Sequence, residues 1–71
     1  MDKLKLLYKN EDGVCIVKVS DKKYYYGDGK TFGGFGVSPN QFLRFNPNME
    51  YVEDKEEKIP EQAIDWIEKH S

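Results

Sequence analysis

Between Tyr24 and Phe45 the chain concentrates seven of its ten aromatic residues: Tyr24, Tyr25, Tyr26, Phe32, Phe35, Phe42 and Phe45. The same stretch holds five of its six glycines, Gly27, Gly29, Gly33, Gly34 and Gly36. Aromatic side chains carry the largest burial energy per residue. Glycines let the backbone turn sharply or approach another group closely. The segment is therefore expected to build the core, to bind something, or to do both.

The chain has 71 residues. A chain of that length buries only about 60% of the surface its unfolded form exposes. One small domain is expected, with little room for a deep enclosed active site. Cys15 is the single cysteine, so an internal disulfide is impossible. Small secreted domains usually carry several disulfides. The start, Met1-Asp2-Lys3-Leu4-Lys5-Leu6-Leu7, interleaves charges with leucines and does not read as a signal peptide. No stretch has the length and apolarity of a membrane span. The expectation is a cytoplasmic protein with no membrane partner.

The net charge of −2 hides a split. Residues 1–49 carry eight Lys/Arg against five Asp/Glu, a balance of +3, and residues 50–71 carry three against eight, a balance of −5. Such a split signals either a basic binding face with an acidic tail or two parts that attract each other.

The pattern along the chain predicts an α+β fold: a small antiparallel meander of three to five strands, packed by one C-terminal helix. A small SH3-like or OB-like barrel with the same helix is the alternative. Residues 3–52 are assigned to the sheet, 53–58 to a charged linker and 60–70 to the helix. Leu4, Leu6 and Tyr8 alternate with Lys3, Lys5, Leu7 and Lys9, a period of two. Asp12-Gly13 predicts a two-residue type I′ turn. The β-branched run from Val14 to Val19 predicts the second strand. Asp21-Lys22 leads into a third strand at 23–26.

With those turns, one face collects Leu4, Leu6, Tyr8, Cys15, Val17, Val19, Tyr24 and Tyr26. A one-residue slip would invert every side chain. Asp28-Gly29 predicts another turn into 30–35, where Gly33, Gly34 and Gly36 suggest a bulge or loop. Ser38-Pro39-Asn40-Gln41 has the form of a capping box with proline at the first helical position. It predicts a helical turn through Phe42, Leu43 and Phe45, ended by Asn46-Pro47. Glu50-Tyr51-Val52 predicts a further short strand. In the last helix, Ile59, Ala63, Trp66, Ile67 and His70 lie near one side, with Trp66 as the main anchor onto the sheet.

No catalytic motif emerges. Gly29-Lys30-Thr31 resembles the end of a phosphate loop, but Tyr24 stands where the motif needs its first glycine. Gly27-x-Gly29 has Phe32 in place of the third glycine of a dinucleotide fingerprint. One cysteine and one histidine, His70, cannot supply a structural zinc site. The carboxylates of 53–57 lack the spacing of a calcium loop. No catalytic residue, metal or cofactor is assigned.

Two surfaces remain. The first is the loop with Phe32, Gly33, Gly34, Phe35 and Val37, in which an exposed phenylalanine would anchor a partner protein. The second is the outward sheet face with Lys5, Lys9, Lys18, Lys23 and Tyr25, where lysines could hold a phosphate backbone while the ring stacks on a base. The first points to a non-catalytic protein-interaction or regulatory module, monomeric or homodimeric. The second points to weak, largely non-specific nucleic-acid binding.

Overall fold

A computed structural model describes residues 4–71. The predicted strand start at Lys3 lies outside those residues. The order of elements is β1 (Lys5–Lys9), β2 (Cys15–Ser20), β3 (Lys23–Gly27), β4 (Gly33–Gly36), α1 (Pro39–Phe45), β5 (Glu50–Tyr51), a 3-10 turn (Glu53–Lys55) and α2 (Glu61–His70). The strands form one antiparallel sheet in the order β4-β3-β2-β1-β5. The predicted meander and C-terminal helix are both present. The barrel alternative is not: the sheet is open, with β4 and β5 as its edges.

The register differs from the expected one in an instructive way. Asn10 Oδ1 accepts the N–H groups of Asp12 and Val14, each at 3.0 Å, and Asn10 N–H donates to the Val14 carbonyl. That side chain closes a three-residue loop, Glu11 to Gly13, with Gly13 at φ 86°. This is the second hairpin class, not the predicted two-residue one. Farther along, Leu6 pairs with Val17 and Tyr8 with Ile16, so Leu7 is an extra residue in β1. The Asp21-Lys22 turn is as expected, closed by Ser20 and Lys23. Val19 is then an extra residue before Lys18 meets Tyr24. Each bulge shifts the pairing by one.

Cross-strand neighbours share a face. Leu6, Val17, Tyr25 and Phe35 therefore lie on one side, and Tyr8, Ile16, Tyr26 and Gly34 on the other. The expected core face is corrected accordingly. Tyr25 replaces Tyr8, Tyr24 and Tyr26.

The first side is covered by α2. Leu6, Cys15, Val17, Tyr25, Val52, Ala63 and Ile67 form its buried cluster, with Leu4, Val19, Phe35, Ile59 and Trp66 packed around it. Pro60 precedes α2, and its carbonyl accepts from Ala63 and Ile64 N–H. Trp66 lies against Tyr25 and Phe35, with ring centroids 5.0 and 5.2 Å away. Ala63 and Ile67 are the helix residues that bury fully.

The second side is reached by α1. Ser38 Oγ accepts Asn40 N–H at 3.2 Å, and Pro39 occupies the first turn. Phe42 stacks on Tyr26 at 4.9 Å and 4°, and Asn46 donates its side-chain N–H to the Tyr26 hydroxyl.

The predicted linker is not free chain. Val52 is fully buried, its N–H donates to the Leu7 carbonyl at 2.8 Å, and the 3-10 turn follows at once. Glu53 and Glu57 then pair with Lys5 and Lys9.

The glycines separate into filled and open positions. Gly29 has φ 80°, and a Cβ there would sit 2.8 Å from the Gln62 backbone. Both the left-handed backbone and the helix contact require glycine. At Gly34 a Cβ would meet nothing within 4 Å. Gly29→Ala should therefore lose about 2 kcal/mol or more, from left-handed strain together with the clash with α2. Gly34→Ala should leave stability within about 0.5 kcal/mol of the parent or raise it slightly. Urea midpoints at constant m-value read both.

Candidate functional site

The loop out of β3 is set by one carboxylate. Asp28 Oδ1 accepts the N–H groups of Lys30 at 2.8 Å, Thr31 at 2.9 Å and Phe32 at 3.3 Å. Its Oδ2 accepts the Thr31 hydroxyl at 2.6 Å. The Thr31 hydroxyl, followed by the backbone N–H groups, holds the Asp28 carboxyl well below its ordinary range. The predicted turn is thus an aspartate-centred clamp that delivers Phe32 to the start of β4.

Beyond the clamp, Gly33, Gly34, Phe35 and Gly36 pair in unbroken register with Gly27, Tyr26, Tyr25 and Tyr24. The expectation of a bulge or loop here is corrected. Rings from the helices occupy the space that side chains would take. A Cβ on Gly33 would lie 2.7 Å from Trp66, and one on Gly36 would lie 2.6 Å from Phe42.

The two loop phenylalanines diverge. Phe35 is half-buried against Trp66 and Tyr25, and the ammonium of Lys23 sits 4.3 Å over its ring. Phe32 touches Tyr26 at 5.7 Å and remains 43% exposed, and Val37 is 65% exposed. From Thr31 to Leu43 there is no Asp, Glu, Lys or Arg, in a chain that is 34% charged. The outer edge of β4 belongs to this uncharged run. The run is legible in the sequence, as the longest gap between charges. Phe45, 79% exposed, and Tyr51, 48% exposed, belong to neither of the two surfaces expected from the sequence. Alternation alone does not signal them.

The lysine–tyrosine group does not form one surface. Tyr25 is fully buried under α2, a correction that follows from the bulge at Val19. Lys5 and Lys18 are paired with each other in register on the α1 side, whereas Lys9 opposes Cys15 and Lys23 reaches Phe35, both on the α2 side. Lys5 bonds Glu53 at 3.2 Å, Lys9 bonds Glu57, and Lys18 lies 3.9 Å from Asp21. The acidic half of the chain thus meets two lysines of the basic half directly.

Cys15 donates its S–H toward the Gly27 carbonyl at 3.7 Å and is buried. Burial, with a smaller push from Asp28, raises the thiol from 9.0 to about 12. Among the described residues the Tyr25 hydroxyl is buried with no hydrogen-bond partner. Burial first, then Cys15, raises it from 10.0 to about 12, and the Gly29 N–H nearby offsets only part of this. His70 is exposed, stacked on Trp66 at 4.0 Å, with Nδ1 2.9 Å from the Trp66 carbonyl oxygen. Among the described residues no group of three or more His, Cys, Asp or Glu side chains converges to hold a metal ion. No helix among them is long and apolar enough to cross a membrane.

Comparison with protein-family models, with curated proteins and with solved structures finds no match for this chain. The geometry is therefore the ground for a functional reading.

The buried thiol and phenol set an alkaline limit. Both are raised in the folded state, so their contribution is fully present below about pH 9 and is lost as pH rises toward 12. Tyr25→Phe removes a hydroxyl that is buried without a partner, a group whose burial costs about 1–3 kcal/mol. The variant should gain about 1 kcal/mol at pH 7 and lose stability less steeply between pH 10 and 12. Urea unfolding across that range reads both effects. A destabilised Tyr25→Phe protein at pH 7 would mean that the hydroxyl is satisfied.

Proposed function

We propose that this protein is a small interaction module without catalytic activity, working in a reducing, cytoplasmic setting, that captures another protein through the surface from Phe32 to Val37. The observation that carries this reading is the uncharged run along β4, with Phe32 and Val37 exposed at its two ends. Exposed aromatic anchors beside water-excluding neighbours are the usual source of binding energy in protein interfaces. The Asp28 clamp lowers the ordering cost, because the Phe32 backbone is already fixed. Cys15, a free buried thiol, agrees with the reducing setting.

The nucleic-acid alternative has less support. Its stacking residue, Tyr25, is in the core, and three of its four lysines face carboxylates.

Phe32→Ala combined with Val37→Ser should keep the circular dichroism spectrum and lower recovery of a specific partner by tagged capture at least tenfold. Phe35→Ala is unsuitable for this purpose, because it removes a ring from the α2 cluster. Equal recovery by the double variant would overturn the reading.

A further inference from the structure

We infer that the partner is held as a sixth strand: an extended, uncharged segment added to the outer edge of β4, with a bulky apolar or aromatic residue seated over Gly34. The inference rests on the interaction reading of the same surface and specifies its mode. Among the described residues β4 is the last strand of the sheet, so one side of its backbone has no ladder partner there. Natural edges are usually blocked by charge, proline, a bulge or a covering element. Within Gly33–Gly36 there is no charge and no proline, and the pairing with β3 runs without a bulge. Three of its four residues have no side chain to shield the peptide groups.

Gly34 supplies the selectivity. It stands directly opposite Tyr26, whose ring touches both Phe32 and Phe42. Its neighbour on that face, Gly36, is already filled by Phe42, whereas the space above Gly34 is empty. A large side chain from the next strand would cross that glycine and reach the Tyr26 ring, beside exposed Phe32. Aromatic residues compensate glycines in neighbouring strands in this way. Main-chain bonds would give affinity and this one position would give selection, the division of labour in strand addition.

A second copy of the chain fits less well. Antiparallel self-pairing centred on Gly33 would bring Phe32, which already rests on the Tyr26 ring of its own chain, against Gly34, and centred on Gly34 or on Phe35 it would face Gly34 with Gly34 or Gly36. The opening would then stay unfilled.

The test is selection of displayed random nine-residue peptides against the full chain, followed by amide-resolved titration with the enriched synthetic peptides. The expected peptides have an uncharged centre with one recurrent aromatic or large aliphatic position. They shift and protect amides of Gly33–Gly36. Their affinity falls at least tenfold with Gly34→Val, and likewise when the recurrent residue is changed to glycine. N-methylation of alternate peptide nitrogens should abolish binding in one of the two phases, a readout independent of any folding defect in the Gly34→Val protein. Peptides that need Phe32 but leave the Gly33–Gly36 amides unmoved would overturn the sixth strand while leaving the interaction reading intact. Concentration-dependent dimerisation through those amides without peptide would overturn it in favour of a second copy. Absence of enrichment over a scrambled control would also overturn it.

Discussion

Seating of α2 on a patch of sheet without side chains is the constraint from which the rest follows. Gly29 must be left-handed and bare for the first turn of the helix to pass, and Gly33 must be bare for the Trp66 ring to lie on it. With Trp66 in place, Tyr25 and Phe35 complete an aromatic layer. Its cost is visible in the Tyr25 hydroxyl, which the layer encloses without a partner. On the opposite side the same device recurs at Gly36 under Phe42. Two short helices can therefore approach one sheet from both faces.

How much of this was legible varied with the range of the interaction. Strand and helix positions follow from local signals: β-branched runs, Asp-Gly pairs, Ser38-Pro39 and Pro60. Facing does not, because it accumulates along a strand. The Asp21-Lys22 turn is where the sequence puts it, yet Val19 bulges just before it and turns Tyr25 inward. Nothing in the composition of Lys18-Val19-Ser20 marks that extra residue. Asn10 could have been read as a loop-closing side chain, and that would have corrected the first hairpin. The glycines of β4 suggested a loop because the rings that cover Gly33 and Gly36, Trp66 and Phe42, arrive from two separate helices. The exposure of Phe32 was legible in its loop, whereas the burial of Tyr25 was not.

The charge split finds its structural meaning in the docked segment after β5. Glu53 and Glu57 come back to Lys5 and Lys9 along β1 while Val52 is buried. Each pair is partly exposed and contributes little by itself. Their combined effect is to tie the chain between β5 and α2 along the β1 side of the sheet. Charge therefore concentrates around β1 and the segment that follows β5. The other edge, β4, carries no charged side chain of its own, and only Lys23 of β3 reaches over its Phe35 ring.

That asymmetry links packing to the proposed use of the molecule. Filling the sheet with rings from α1 and α2 requires glycine at Gly33 and Gly36, and glycine removes the side chains that would normally screen an edge. A strand built for helix packing is therefore also a strand with exposed peptide groups. Selection against unwanted pairing would ordinarily place a lysine or proline there. No such residue interrupts Phe32 to Val37. Gly34 fits the same argument from the other direction, since no ring fills it and packing does not demand it. A glycine that packing does not require is the position at which a neighbouring strand would be felt most directly.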